Sequence, residues 1–202
     1  VDIQTSTKVT QISKSGDSFT VETGHGGFTT QSLVIATGGP SIPKMGATDF
    51  GYNVARQFGL KVIEPRPGLV PLTFDVEVLS RLDGLAGISL DAAVKLGKVQ
   101  FAEALLFTHR GLSGPVILQI SSYWKKGDAI TINLLPDMDV FQYLKELKDS
   151  QPKKEIQTVL AQILPKRLAQ KMVEWIGCNG RLAETSDKSL RRMAEQINAW
   201  QI

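Results

Sequence analysis

Cysteine and histidine are nearly missing from this chain, which offers only Cys178, His25 and His109. One cysteine closes no intramolecular disulfide, and three such ligands scattered along the sequence lack the spacing of a structural zinc site, so no metal is expected. No apolar run approaches the roughly 20 residues of a membrane-spanning helix. The start carries neither the charged nor the apolar region of a signal peptide, so the expectation is a soluble protein of the reducing cytoplasm with no membrane partner. A Gly-x-Gly-x-x-Gly turn between a strand and a helix is also lacking, so nothing here seats a dinucleotide pyrophosphate on a helix N-terminus.

What is present is an ordinary core-forming composition, 42% hydrophobic and 21% charged over 202 residues. A chain of this length and make-up folds as one or two domains without covalent staples. The net charge of +3 is concentrated late: residues 151–202 hold nine Lys/Arg against five Asp/Glu. Glu155, Glu174, Glu184, Asp187 and Glu195 interrupt those cations, so the tail reads as a solvated helical surface, and nucleic acid is not expected as a partner.

The hydrophobic period predicts an α+β protein. Three strands are expected at Thr7–Ser13, Ser18–Thr23 and Phe28–Ala36, the last ending in the apolar run Leu33-Val34-Ile35-Ala36 in the manner of a buried strand. A helix follows from Thr48 or Asp49 to Phe58, with Phe50, Val54 and Phe58 as its apolar stripe and Gly59 as terminator. Leu60–Ile63 reads as a short strand, and Pro65-Arg66-Pro67-Gly68 as a domain crossing, since it continues neither helix nor interior strand. Further strands are expected near Leu69–Phe74, Gly87–Lys95, Val99–Phe107 and Ala129–Leu134. One helix interrupts them, capped by Ser113 and led by Pro115. From Asp139 onward the spacing is helical, with Pro152, Pro165 and Gly177–Gly180 separating four helices. The expected divisions are 1–63, a strand-rich 64–135 and a helical 136–202.

Two stretches carry candidate chemistry. Gly38 and Gly39 follow the apolar strand and let backbone approach a ligand that a Cβ would repel, while Thr37 adds a hydroxyl. Thr108–Pro115 gathers a histidine, an arginine, a serine and a helix start whose free amides favour an anion. A hydrolase reading fails on spacing: Gly111-Leu112-Ser113 is followed by Gly114-Pro115 and not by the Gly-x-Ser-x-Gly elbow, and His25-Gly26-Gly27 lies in a hairpin turn.

Four blocks, taken together and in order, resemble one family. These are Leu33–Lys44 (LVIATGGPSIPK), Gly46–Tyr52 (GATDFGY), Glu64–Pro67 with Leu69–Leu72, and Leu106–Pro115 (LFTHRGLSGP); they resemble the BaiN/YhiN-like bacterial NAD(P)/FAD-dependent flavoproteins across essentially the whole chain. The resemblance implies that residues 1–63 are the returning part of a Rossmann-like FAD domain, a β-meander with strand and helix, and that 64–202 are an inserted domain covering the flavin. It implies that Val9, Ala36, Thr37, Gly38 and Gly39 approach FAD. Thr48, Asp49, Gly51, Thr108, Gly111 and Gly114 would line the flavin-side cavity, with His109 and Ser113 as catalytic candidates. FAD in the full-length parent, NAD(P)H as a possible reductant and a small-molecule substrate of unnamed class go with it. The parent's remaining FAD domain would be the chief partner. Because both glycine-rich flavin segments of such a family are missing here, the chain is expected to be an internal piece that holds no FAD tightly and is inactive alone. The rival expectation is a non-enzymatic binding module whose basic helical tail contacts a protein or nucleic acid.

Overall fold

The computed structural model describes all residues, Val1–Ile202, and they fall into two compact units, Val1–Arg66 and Pro67–Ile202. The architecture is α+β, with seven α-helices and two antiparallel sheets.

The first unit is a meander of β1 (Val9–Ser15), β2 (Ser18–Thr23) and β3 (Gly26–Thr30) followed by helix α1 (Phe50–Gln57). Gly16, at φ +58°, turns β1 into β2, where an L side chain would be strained. At the second turn the Thr23 hydroxyl donates to the Gly26 carbonyl (2.7 Å) and accepts from the His25 amide (3.1 Å), so His25 is a hairpin residue. Helix α1 buries Val54 and half-buries Phe50, and half-buried Phe58 at its C-cap meets Phe19 edge-on with ring centroids 5.9 Å apart. Gln57 donates to the Ile12 carbonyl at 2.6 Å, tying helix to sheet.

Two strand expectations fail in this unit. Leu33–Ala36 and Leu60–Ile63 belong to no strand and pair with none, and Val34 and Ile63 are 84% and 85% exposed. An apolar run becomes a buried strand only when neighbours supply ladder hydrogen bonds on its edges and cover its faces. No strand of this chain does so.

The second unit is built on one six-stranded antiparallel sheet in the order β4-β7-β6-β5-β8-β9. Its strands are β4 (Leu72–Thr73), β5 (Ser89–Leu96), β6 (Val99–Thr108), β7 (Gly111–Ser113), β8 (Thr131–Asn133) and β9 (Trp200–Gln201). The sheet is curled into a half-barrel. Phe107 on β6 and Trp200 on β9 are three strands apart, about 14 Å in a flat sheet, yet their rings stack at 6.1 Å. Trp175 closes on Trp200 at 5.8 Å.

Six helices complete the unit: α2 (Val76–Arg81), α3 (Pro115–Ser121), α4 (Val140–Ser150), α5 (Ile156–Ile163), α6 (Lys166–Ile176) and α7 (Asp187–Asn198), which leads back into β9. Helix α3 packs on β5, β6 and β7, and α7 packs on β8 and β9; α4 and α6 pack on α7, and α5 on α6. The strand-rich and helical parts share one continuous core that runs from Leu72 to Trp200. Three elements escape the hydrophobic pattern. Val76 and Val78 mimic strand alternation and hide α2, which Asp75 caps by accepting the Val78 amide at 2.9 Å. β7 and β9 are two to three residues long and are defined by their partners, too short for any period to show.

Asn198 at the end of α7 locks the helices to the sheet. Its amide donates to Asn133 Oδ1 (3.0 Å), Leu135 O (3.2 Å) and Met138 O (3.0 Å), and its own Oδ1 accepts the Val140 amide at 3.1 Å. Asn198→Ala leaves these partly buried groups without partners. It should cost about 2–3 kcal/mol of unfolding free energy in a urea titration; a change below ~0.5 kcal/mol would mean water replaces the amide at no cost.

Candidate functional site

In the first unit the segment Ile35–Gly39 is packed onto the start of α1. A Cβ placed on Gly51 would lie 3.0 Å from Thr37 Oγ1, and one on Gly39 would lie 2.9 Å from Tyr52 Oη. Both glycines therefore serve the contact between this segment and the helix. Gly38 differs: its φ is +69° and a Cβ there would meet nothing within 4 Å. Ala36, Thr37 and Gly38 are exposed.

At the helix entrance the Thr48 hydroxyl accepts the Phe50 amide at 3.4 Å, whereas Asp49, at the N-cap position, makes no side-chain cap bond. The Asp49 carboxylate is exposed and free. Beneath this entrance lies an apolar cavity of about 290 Å³ walled by Leu33, Ile35, Gly51, Val54 and Phe58. Thr37, Gly38, Gly39, Thr48 and Gly51 thus share one small region. Val9 is half-buried at the start of β1, opposite Thr23 and beside a bulge, on a different element.

In the second unit Thr108–Pro115 is the β6–β7 hairpin leading into α3, not a loop ending in a capped helix. Thr108 pairs with Gly111, and its hydroxyl donates to the Gly111 carbonyl (3.1 Å) while accepting the Arg110 amide (3.3 Å). The Arg110 carbonyl accepts the Phe74 amide at 3.1 Å, which clamps the turn to the chain beyond β4. His109 and Arg110 form the exposed tip, held at their backbone with both side chains free of hydrogen bonds and ion pairs.

Ser113 is not the helix cap. It belongs to β7 opposite Leu106, and Gly114 occupies the cap position with no side-chain bond. The proline cue was sound, but the strand claimed the serine because pairing with β6 satisfies its backbone. His109 and Ser113 stand at opposite ends of β7 and share no hydrogen bond, so the hairpin builds no serine–histidine pair. Gly111 and Gly114 are required by packing: a Cβ on Gly111 would press on the Leu72 carbonyl oxygen, and one on Gly114 would lie 2.9 Å from the Leu106 amide nitrogen.

No three His, Cys, Asp or Glu side chains gather as metal ligands. No helix is long and apolar enough to cross a membrane. Sequence reasoning passed over Tyr123-Trp124-Lys125-Lys126, just after α3; the signal was a pair of aromatics followed directly by a pair of lysines.

A curled antiparallel half-barrel sheet with its helices, in the second unit, defines an α+β barrel-and-helix domain. The model of the HI0933-like protein barrel and H2TH domain matches residues 66–202, and the chain belongs to this family, which is related to FAD-dependent oxidoreductases. The chain is 42% identical over 188 residues to a protein of Escherichia coli named ribosomal RNA dihydrouridine synthase, covering 92% of this chain and 45% of that protein. A Haemophilus influenzae protein of the same name is 41% identical over 174 residues, covering 85% of this chain and 43% of its own length. The chain therefore spans less than half the length of these relatives.

Proposed function

We propose that this chain is part of a flavoprotein that reduces uridine to dihydrouridine in ribosomal RNA. The observation that carries the reading is the match of nearly the whole chain, at 42% and 41% identity, to two proteins bearing that name. The BaiN/YhiN-like resemblance, with FAD resident in the parent and NAD(P)H as reductant, belongs to the same reading. Ribosomal RNA as substrate replaces the small molecule expected from sequence, and it places the work in the cytoplasm.

The chemistry is a saturation of the C5=C6 bond of uracil, which takes two electrons and two protons. Bound FAD, once reduced, supplies the electrons. The residues of the first unit suit its approach: Gly38 leaves open space above an exposed backbone, and Thr37 presents a hydroxyl beside it. The exposed apolar side chains Val34 and Ile63 and the cavity under α1 suit cover by the remainder of the parent's FAD domain. In the second unit the His109–Arg110 tip, fixed at its backbone and unpaired at its side chains, meets the substrate: Arg110 balances phosphate charge and the His109 imidazole adds a hydrogen-bonding group beside it. Ser113 stays a strand residue.

The test is to delete the parent gene and quantify dihydrouridine by mass spectrometry of nucleosides from purified ribosomal RNA. Loss of the nucleoside from ribosomal RNA, restored by the intact gene, is expected. An unchanged content in the deletion strain, in the absence of a second gene of this family, would overturn the proposal.

A further inference from the structure

One end of the half-barrel collects aromatic faces and unpaired lysines. The register places Lys95 opposite Gln100 on β6 and opposite Thr131 on β8, so the end of β5, the start of β6 and the start of β8 lie together. Lys98 occupies the β5–β6 turn. The segment between α3 and β8 brings Tyr123, Trp124, Lys125 and Lys126 to this end, because Tyr123 packs on Phe101 of β6 with centroids 5.9 Å apart. Tyr123 is 54% exposed, so one face of its ring is backed by Phe101 while the rest is open to solvent.

The loop is held rigid. The Trp124 indole donates to the Asp128 carbonyl (2.7 Å), the Asp128 carboxylate accepts the Lys125 amide (2.9 Å), and the Asp128 amide donates to the Lys125 carbonyl (2.9 Å). Lys125 and Lys126 stand exposed at its tip, and the loop's one acidic group is already engaged by backbone. None of Lys95, Lys98, Lys125 and Lys126 takes part in an ion pair; the lysines that do are Lys145, Lys148 and Lys171.

The geometry points to this end of the half-barrel as a contact surface for single-stranded or looped RNA, with Tyr123 stacking a base and Lys98, Lys125 and Lys126 following the phosphates. An aromatic platform flanked by free cations is what sequence-tolerant recognition of unpaired strands uses: any base offers a π-face and every nucleotide a charge. The inference rests on the ribosomal RNA reading and names the part of this chain that would hold that RNA. The other basic surface, along α4 and α7, is less suited. There Lys145 and Lys148 both bind Asp187 at 2.7 and 3.0 Å, Arg191 lies over the Phe141 ring at 4.2 Å, and Glu195 interrupts the row.

The test uses the whole chain and a fluorescein-labelled oligouridylate of roughly ten nucleotides, within the site sizes of single-strand binders. Tyr123→Ala should weaken binding roughly 10-fold, as loss of one stacked base does. Tyr123→Leu, which keeps apolar cover over Phe101 without a π-face, should weaken it similarly, and Tyr123→Phe should bind as the unaltered chain does. Replacing Lys125 and Lys126 together by Gln should lower the slope of log Kd against log salt by about 1.4, since each phosphate contact on a single strand contributes roughly 0.7. If the Tyr123 and lysine variants bind normally while Lys188→Gln with Arg192→Gln binds poorly, the surface is wrong and the RNA reading survives. If the unaltered chain does not bind the oligouridylate, the surface is also wrong, and the nucleoside content of ribosomal RNA decides the wider reading separately.

Discussion

Gly114→Ala is expected to unfold the second unit at temperatures where the unaltered chain is fully native. Gly114 has φ +92° and ψ 162°, a region open essentially to glycine alone, where another residue costs about 1–3 kcal/mol in strain. Space is lacking as well: a Cβ would crowd the Ala104 carbonyl oxygen and the Leu106 amide nitrogen of β6. These are backbone atoms of a central strand, so relief requires β6 and α3 to part, and α3 buries Val116, Ile117 and Ile120 in the shared core. Strain and collision together should reach about 4 kcal/mol or more, a large part of a domain's total stability. A fall of about 12 °C or more in the thermal midpoint follows for a unit of this size. Gly127→Ala is the comparison, with φ +97° but nothing within 4 Å of the new Cβ; it should cost only the strain. Equal shifts for the two variants would show that packing against β6 contributes nothing.

The helices after Asp139 were legible because their apolar stripes recur over two to three turns and proline or glycine stands at each break. Asp139, for instance, caps α4 by accepting the Gln142 amide at 3.1 Å. The long strands β5 and β6 were legible for the same reason. What the sequence hid was whatever depends on a partner distant in the chain. Trp200 is a strand residue only because Ile132 pairs with it, and Ser113 only because Leu106 does. Leu33–Ala36 errs in the opposite direction: its pattern is that of a buried strand, and the neighbours that would make it one are not supplied by these residues. The candidate site divides likewise. The sequence singled out Thr37–Gly39 and the helix entrance at Thr48–Gly51 separately, and only the fold shows Gly51 packed on Thr37; likewise the contact of Phe101 with Tyr123 joins β6 to a segment 22 positions away, and no local pattern announces it.

Gly38→Asn should strip FAD from the full-length parent while leaving its fold intact. The substitution is chosen for what it spares. Gly38 sits at φ +69°, which asparagine tolerates better than other side chains, so backbone strain is small. A Cβ at this position meets no atom of the chain within 4 Å, and the residue is exposed, so nothing in this structure resists the larger side chain. A large effect must then come from outside these residues, either from the remainder of the parent or from a bound molecule, and in the proposed reading it is the flavin that approaches the backbone here, past the end of an apolar run as α/β proteins bind dinucleotides; the thermal midpoint of the flavin-free samples separates the two. A clash costing about 3 kcal/mol lowers affinity roughly 100-fold, enough to leave the purified variant colourless. The measurement is the ratio of flavin to protein absorbance, taken with the thermal midpoint of flavin-free samples of both proteins. Gly51→Ala serves as the contrast, since its Cβ would press on Thr37 Oγ1 within the chain and should lower stability before it touches the cofactor. Normal flavin content in Gly38→Asn would remove Thr37–Gly39 from the cofactor's surroundings and leave the glycine pair as a turn.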